Sequence, residues 1–229
     1  MMKPAPRFLF SIDLEDVRHM VPNGHRYAPR VPEMTERFLA FLSSHKQQCT
    51  FFVVGDMLDA YPELIERISA AGHEIACHTN EHAPLPQLGE SAFRNDLELF
   101  LAKARKLGLP HVKGFRAPTF SLTEKTPWAH SVLEEFGFAY SSSVLPAKNP
   151  LFGWEGFGQS PKKIGSLWEI PMTLQQLGPM RVPVGGGVYF RVLPQFMLNR
   201  IFNRAKKNGN DVLGYFHPYD IDVEQERFM

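Results

Sequence analysis

The sequence of 229 residues predicts an α/β fold whose mostly parallel sheet can close as a barrel. The main observation is an alternation: about seven short apolar runs are separated by five or six segments with helical periodicity. The length agrees, since α/β barrels of this size commonly form a single unit. Because no repeat, linker or low-complexity segment interrupts the alternation, we expect one domain over residues 1–229.

The strand predictions rest on runs of β-branched and aromatic residues that end at glycine, proline or polar residues. The run "CTFFVVG" at 49–55 is an example, since Gly55 closes it. The other predicted strands cover 7–13, 73–78, 113–118, 138–143, 167–174 and 211–218.

The helix predictions rest on apolar residues spaced three and four apart. Between 56 and 72, Leu64, Ile65 and Ile68 share one face, and Gly72 suits a C-terminal cap. Further helices are predicted over 33–46, 90–107, 125–136 and 194–208.

Composition narrows the possible partners and the cellular location. The 25 basic and 24 acidic side chains give a net charge of +1 with no basic block, so we expect no nucleic-acid partner. No apolar stretch approaches the roughly 18 residues of a membrane span, and the N-terminal apolar run is too short for a secretory signal. Cys49 and Cys77 lie in strand-like runs and are expected to be buried thiols. A cytoplasmic protein is predicted, with its oligomeric state left open.

Two histidines four residues apart stand out in "CHTNEHAPL", residues 77–85. The spacing of His78 and His82 predicts two imidazoles on one side of a helical turn, where both can bind one metal ion. The same pair could also lie in a solvated loop without a metal. The remaining polar residues have to decide between these interpretations.

Polar side chains follow several of the predicted strands at the point where each strand ends. They are Asp13, Glu15, Asp16, His78, His82, Arg116, Ser141, Ser142 and His217. Any one of them could be a helix cap or a packed residue. Because functional groups of α/β folds collect at the C-terminal ends of the strands, their joint occurrence predicts a single pocket.

The stretches that carry these residues resemble a known family. "FSIDLED", "HEIACHTNEH", "GFRAPTFS", "YSSSVLP" and "YFHPYDID" resemble, in order, the motifs of the polysaccharide deacetylase family with the NodB homology domain (carbohydrate esterase family 4-like), and most closely its D-x-E-D subgroup. "PVGGGVYFR", at 183–191, resembles a glycine-rich segment of that subgroup. The resemblance runs from about residue 8 to 222. It implies a distorted (β/α) barrel of about seven strands that uses a divalent metal, usually zinc, to hydrolyse an N-acyl group of an amino sugar.

The resemblance also implies roles for individual residues. His78 and His82 match the metal-binding histidines, which as neutral imidazoles would leave an open metal position. Asp13 matches the catalytic base, and Arg116 of the R-x-P motif would hold its carboxylate charged and oriented. His217 of "FHP" matches the general acid that protonates the leaving amine.

The carboxylate ligand of the metal remains open between two residues of Asp13-Leu14-Glu15-Asp16. If the strand continues, Glu15 points the same way as Asp13 and takes the ligand position. If the strand ends at Leu14 and the chain turns, Asp16 takes it. The short side chain of aspartate suits a rigid ligand, so we expect Asp16, with Glu15 as the alternative.

Two further positions complete the predicted site. The resemblance implies that the oxyanion is held by the metal and by a backbone N–H after Pro118, at Thr119. The residue that orients His217 is left open between Asp220 and Asp222, and we expect Asp222 to be a solvated surface residue.

The sequence therefore predicts a zinc-dependent hydrolase that removes an N-acyl group, by preference acetyl, from an amino sugar or a glycan precursor. An N-formyl sugar would fit the same groups. A metal-independent hydrolase of a cyclic amide, as in allantoinase-like relatives, is disfavoured by the presence of His78 and His82. A catalytically silent carbohydrate-binding protein is disfavoured by the presence of Asp13 and His217.

Overall fold

The fold is that of the computed structural model, which describes residues 6–19 and 21–226. Eight strands form one sheet and two more form a separate hairpin. In chain order the strands are β1 (Phe8–Leu14), β2 (Thr50–Val53), β3 (Glu74–Cys77), β4 (Gly114–Phe115), β5 (Tyr140–Ser141), β6 (Lys162–Ile164), β7 (Leu167–Glu169), β8 (Gln175–Leu177), β9 (Met180–Val182) and β10 (Val212–Phe216).

The large sheet is curled and has the order β10-β1-β2-β3-β4-β5-β7-β6, and the hairpin consists of β8 and β9. Each neighbouring pair from β10 to β7 is parallel, and β6 runs antiparallel at the edge. Among the described residues the sheet thus contains seven parallel strands. This architecture confirms the predicted α/β fold and agrees with a distorted barrel of about seven strands. Three strands, β6, β8 and β9, lie where the sequence predicted none.

Seven α-helices accompany the sheet in the described part of the chain. They are α1 (Val31–Ser44), α2 (Gly55–Ala60), α3 (Pro62–Ala70), α4 (Leu85–Lys106), α5 (Trp128–Glu135), α6 (Gly187–Val192) and α7 (Gln195–Lys207). The single helix predicted over 56–72 is wrong: Tyr61 leaves helical geometry (φ −137°, ψ 53°) because Pro62 disfavours the helical conformation of the residue before it. None of the described helices has the length and apolar character needed to cross a bilayer.

The helices pack against the sheet around one large apolar core. Buried aromatic side chains dominate it, among them Phe51 on β2, Phe93 and Phe100 on α4, and Phe115 on β4. The two cysteines are buried and free, as predicted, and burial raises the pKa of the Cys49 thiol to about 12. This rigid frame fixes the C-terminal ends of β1, β3, β4 and β10 next to one another.

Candidate active site

The end of β1 carries the first group of functional side chains. Asp13 is 3 % exposed, and alternation along the strand places it on the same face as Ser11, while Ile12 and Leu14 point into the core. Glu15 continues this alternation one residue beyond the strand and is also buried. The side chains of Asp13 and Glu15 therefore enter the same space.

Arg116, directly after β4, is fixed beneath that space. It is 1 % exposed and donates hydrogen bonds to Asp13 Oδ1 (2.6 Å) and to Ser11 Oγ (2.9 Å). Its Nε donates to the carbonyl of Ser142 (3.2 Å), and the guanidinium lies 3.9 Å from the ring centroid of Phe52. A buried carboxylate needs such a partner, so the pair holds Asp13 in one orientation.

His78 and His82 come together on a loop between β3 and α4. The predicted helical turn is wrong here, because residues 78–84 are not helical and α4 begins only at Leu85. Thr79 (φ 62°) and His82 (φ 57°) adopt the left-handed conformation, which side-chain-bearing residues rarely do, and the chain turns sharply. The two imidazole centroids are 5.0 Å apart.

Asp96, on α4, supports this loop and was missed by the sequence analysis. Its Oδ1 accepts a hydrogen bond from the backbone N–H of Asn80 (2.8 Å), between the two histidines. Burial raises the pKa of Asp96 to about 6, while the backbone N–H groups of Asn80 and Glu81 act in the opposite direction. Asp96 lies on the buried face of α4, and a charged residue among apolar ones was the available signal.

Glu15 completes a cluster with the two histidines. Its Oε2 lies 2.6 Å from His82 Nε2 and 3.7 Å from His78 Nε2. The Nδ1 of His78 lies 2.7 Å from the carbonyl oxygen of Arg116, which fixes its Nε2 toward the cluster. In the part of the chain that the structure describes, this is the one group of three or more His, Cys, Asp or Glu side chains close enough to hold a metal ion.

Asp16 lies outside the cluster, which corrects the preference for Asp16 as the carboxylate ligand. The guanidinium of Arg18 donates two hydrogen bonds to Asp16 Oδ2, from Nε at 2.8 Å and from Nη2 at 2.6 Å. The backbone N–H of Arg18 also donates to Asp16 Oδ1 (3.0 Å). These local bonds hold Asp16 at the start of a short turn, so the structure brings Glu15 to the histidines instead.

The electrostatics of the cluster suit a cation. Burial raises the pKa of Glu15, but the hydrogen bond from His82 and the charges of His217, His82 and His78 outweigh it and lower the pKa to about 2. Burial lowers the pKa of His78 to about 4, which favours the neutral imidazole. Two imidazoles and one carboxylate are the donor set of a catalytic zinc site with an open position. The three residues therefore fit the metal that the family resemblance implies.

His217 follows β10 and faces the cluster from the other side. Its Nε2 lies 3.7 Å from Glu15 Oε1, and its Nδ1 lies 3.1 Å from Asp220 Oδ2. Burial lowers the pKa of His217, but the hydrogen bond to Asp220 and the charges of Glu15 and Asp13 raise it overall, to about 9. Asp220 is thus the residue that orients His217.

Tyr219 and Asp222 differ from what the sequence suggested. Tyr219 was missed: its hydroxyl donates to Glu15 Oε1 (3.0 Å), and its ring stacks on His217 with the centroids 4.6 Å apart. The expectation that Asp222 is solvated is wrong, since it is 6 % exposed and forms an ion pair with Arg30 on the N-terminal side of α1. Both lie in the stretch "YFHPYDID", in which only the aspartates were considered as partners of His217.

The glycine-rich segment before α6 allows a close approach at this place. A Cβ atom on Gly187 would lie 2.0 Å from Asp220 Oδ2, and one on Gly185 would lie 2.2 Å from the carbonyl oxygen of Leu213. No side chain can be accommodated at such distances without displacing the neighbour. The segment "PVGGGVYFR" therefore packs directly against β10 and the orienting residue of His217.

Six of the residues predicted from the sequence line one cavity of about 480 Å³. They are Asp13, Glu15, His78, His82, Thr119 and His217. Thr119 has a left-handed backbone (φ 55°). Arg116 lies beneath the cavity, bound to Asp13. A buried carboxylate–arginine pair, a carboxylate–imidazole cluster and an imidazole–carboxylate pair thus surround one space large enough for a sugar residue.

Residues 15–141, more than half of the chain, match the family model described as polysaccharide deacetylase. The chain belongs to the polysaccharide deacetylase family. Residues 142–229 match a second model, described as a domain of unknown function (DUF3473). That second segment supplies His217 and Tyr219 to the cavity, together with Asp220, which binds His217, and its strand β10 pairs with β1. The family predicted from the motifs is confirmed.

Curated relatives match parts of the chain. A chitooligosaccharide deacetylase of Sinorhizobium fredii (strain NBRC 101917 / NGR234) is 34 % identical over 117 residues, which cover 45 % of this chain and 53 % of the relative. A peptidoglycan-N-acetylglucosamine deacetylase of Bacillus cereus (strain ATCC 14579) is 34 % identical over 65 residues, 28 % of this chain and 24 % of the relative. The chain thus spans from about a quarter to about half of the length of the curated relatives it matches.

Solved structures share the fold at low sequence identity. A protein of Mycobacterium smegmatis assigned to the polysaccharide deacetylases superimposes with a TM-score of 0.64 at 20 % identity, covering 97 % of this chain and 84 % of that one. The PuuE allantoinase also shares the fold, with a TM-score of 0.58 at 17 % identity, covering 83 % of this chain and 62 % of that one. A CE4 family pseudoenzyme from Bacillus anthracis shares it with a TM-score of 0.56 at 15 % identity, covering 93 % of this chain and 55 % of that one. Fold similarity alone therefore does not distinguish a hydrolase from an inactive protein, and the function has to be inferred from the side chains of the site.

Proposed function

We propose that the protein is a metal-dependent hydrolase that removes the N-acetyl group from an amino sugar within a glycan. One observation carries the proposal: the Glu15–His78–His82 cluster shares a cavity with Asp13, whose carboxylate is bound by Arg116, and with His217. A protein that only binds carbohydrate does not require these buried ionisable groups, which are costly to bury and are typical of catalytic sites. The deacetylase names of the relatives from Sinorhizobium fredii and Bacillus cereus support the substrate class.

The metal ligands we propose are Glu15, His78 and His82, and zinc is the ion that this donor set suits best. When bound, the ion would polarise the acyl carbonyl and lower the pKa of a water molecule. Tyr219 would hold Oε1 of Glu15, which leaves Oε2 directed at the histidines. Such supporting bonds fix the direction of a ligand and add to metal affinity.

Asp13 is the proposed general base. Arg116 binds Oδ1 of Asp13, which leaves Oδ2 to accept a proton as the water oxygen attacks the carbonyl carbon. The resulting oxyanion would be held in part by the backbone N–H of Thr119, which lines the same cavity. Arg116 acts through Asp13 and is a positioning residue, since it lies beneath the cavity.

His217 is the proposed general acid. Its pKa of about 9 keeps the imidazole protonated at neutral pH, and Asp220 holds Nδ1, so Nε2 carries the proton toward the cavity. Transfer of that proton to the amide nitrogen lets the carbon–nitrogen bond break. The products are acetic acid, which keeps the second proton of the water, and the free amine. The first proton of the water is left on Asp13, and its return through solvent to the neutral His217 restores both groups.

The direct test is acid release from matched substrates. Zinc-loaded protein incubated with N-acetylchitotetraose should release acetate, measured enzymatically, and the Asp13→Asn variant serves as the control for contaminating activity. The N-formyl counterpart distinguishes a deformylase, and allantoin with metal-free protein tests the metal-independent alternative. Failure to release acid from any N-acyl sugar, at full zinc occupancy, would contradict the proposal.

The pH dependence follows from the His217–Asp220 pair. Because the pKa of His217 is raised, the protonated acid is present at low pH and is lost as the pH rises through about 9. In Asp220→Asn the raising interaction is removed, so the basic limb of kcat/KM should move down by roughly one unit or more. Asp222→Asn, which changes a buried aspartate two residues away, should leave that limb in place. An unchanged limb in Asp220→Asn would remove His217 from the acid role.

We also infer that residues 1–229 form one domain. The boundary between the two family matches, at 141 and 142, falls at the last residue of β5 in the middle of the sheet. Separation there would expose the edges of β1 and β5 and divide His217 from Glu15. The cytoplasmic location and the lack of a nucleic-acid partner remain predictions from the sequence.

A further inference from the structure

A second, larger cavity lies on the other side of the β8–β9 hairpin. It measures about 640 Å³ and is bounded by the hairpin and by α7. Three arginines line it: Arg181 on β9, and Arg200 and Arg204 on α7. Among the described residues that line this cavity, none is an aspartate or a glutamate.

The charge of these arginines is not balanced within the protein. Seven other arginines form ion pairs with carboxylates: Arg7, Arg18, Arg30, Arg37, Arg67, Arg94 and Arg116. Across the described ranges, Arg181, Arg200 and Arg204 have no such ion pair. The same holds for Arg26, Arg105 and Arg191, but those three do not line this cavity. Arg200 and Arg204 are also four residues apart on one helix, where like charges repel and reduce helix stability. Three guanidinium groups around one cavity attract an anion, and their planar donors match a carboxylate or a phosphate.

The remaining lining indicates a polar, hydroxylated ligand. Side-chain amides reach the cavity from several sides, including Gln159, Gln175 on β8 and Asn208 after α7. An amide both donates and accepts hydrogen bonds, as the hydroxyl groups of a sugar require. Phe196, which is 72 % exposed, and Met197 add apolar surface at the start of α7. This combination suits an acidic sugar better than a bare inorganic anion.

The arginine cavity adjoins the candidate active site. Arg181 lines both cavities, and the next residue, Val182, lines the active-site cavity. The β8–β9 hairpin therefore borders both the proposed hydrolytic site and the cavity that Arg200 and Arg204 line. A glycan bound with its N-acetyl sugar beside His217 can continue along the hairpin toward Arg200.

We propose that the arginine cavity binds an acidic sugar residue of the same glycan chain whose N-acetyl sugar occupies the active site. The substrate class is then an anionic glycan, in which a carboxylate or a phosphate lies a short distance along the chain from the N-acetylated sugar. This inference rests on the proposed deacetylase function for the link between the two cavities. Binding of the acidic sugar itself does not depend on that function.

Calorimetry with a galacturonate trimer, with glucose 6-phosphate and with neutral maltotriose tests the binding. The two acidic probes distinguish a carboxylate from a phosphate, and we expect at least one of them, but not maltotriose, to bind. Arg200→Gln combined with Arg204→Gln should weaken that binding about tenfold or more, since hydrogen bonds to charged groups are lost. The matched control is Lys206→Gln with Lys207→Gln, which removes the same charge from α7 outside the cavity. No binding of either acid, or equal weakening in both double variants, would overturn the proposal.

Kinetics test the link to the active site. With a tetrasaccharide of alternating N-acetylglucosamine and glucuronate, the arginine double variant should raise KM about tenfold and leave kcat unchanged. With N-acetylchitotetraose it should behave as the unmodified protein. Unchanged KM on the acidic substrate would overturn the shared-chain assignment. If the unmodified protein releases no acetate from any substrate while acidic sugars still bind in an arginine-dependent way, the deacetylase proposal fails and the arginine cavity stands.

Discussion

His78→Ala and His82→Ala should each lose the bound zinc and the activity together. Both imidazoles direct Nε2 at Glu15 Oε2, so removing either leaves a proposed three-ligand site with two ligands. Loss of a residue that merely supports a ligand already costs roughly 10–100-fold in metal affinity. Direct loss of a ligand should cost more, and elemental analysis after dialysis measures it.

The carboxylate ligand is tested by a pair of adjacent substitutions. Glu15→Gln should lose zinc, because an amide is a poor substitute for the anion that faces both histidines. Asp16→Asn is the matched control, since Asp16 is buried like Glu15 but binds Arg18. Thermal unfolding of both variants separates loss of metal from loss of fold. Full zinc occupancy in Glu15→Gln, or loss only in Asp16→Asn, would reverse the ligand assignment made from the geometry.

The strand pattern predicted much of this site because its rule is local. Side chains alternate along β1, so Asp13 and Glu15 had to share a face if the extended chain continued past Leu14. Asp16 lies away from the histidines because it binds Arg18, only two residues further along the chain, whose side chain closes a turn. The sequence places Arg18 two residues after Asp16, so a local partner for Asp16 was visible there. Such a partner favours Glu15 as the residue that remains for the histidines.

The supporting residues could not be predicted in the same way. Asp96 acts on the histidine loop, and Tyr219 reaches Glu15 across 204 positions of the chain. Such contacts depend on how α4 and the end of β10 pack, which periodicity does not specify. The histidine loop itself depends on the left-handed conformation of Thr79, which has no side-chain signature in one sequence. Only the glycines around Gly187 indicated in the sequence that their segment closely approaches another one, which the structure shows to be β10 and the residues after it.

Asp13→Asn should retain the metal and lose most of the rate. Asparagine fills the same space and can still accept the hydrogen bond from Arg116, but its amide cannot take a proton from water. General acid–base groups typically contribute about 10²–10⁴-fold, so kcat should fall within that range. His217→Ala should fall by a comparable factor and lose the basic limb of its pH profile. Turnover per zinc-loaded molecule, with zinc measured in the same sample, is the quantity to compare.

Asp222→Asn is the control that separates catalysis from stability in this experiment. Asp222 and Asp13 are both buried aspartates paired with an arginine, but Asp222 binds Arg30 and lies outside the active-site cavity. Disturbing either pair should lower the unfolding temperature, because an arginine loses the counter-charge of a buried carboxylate. Only Asp13→Asn should lower the rate per folded molecule. If Asp13 were a structural residue, the two variants would unfold earlier and turn over normally, and a base at this position would have to be abandoned.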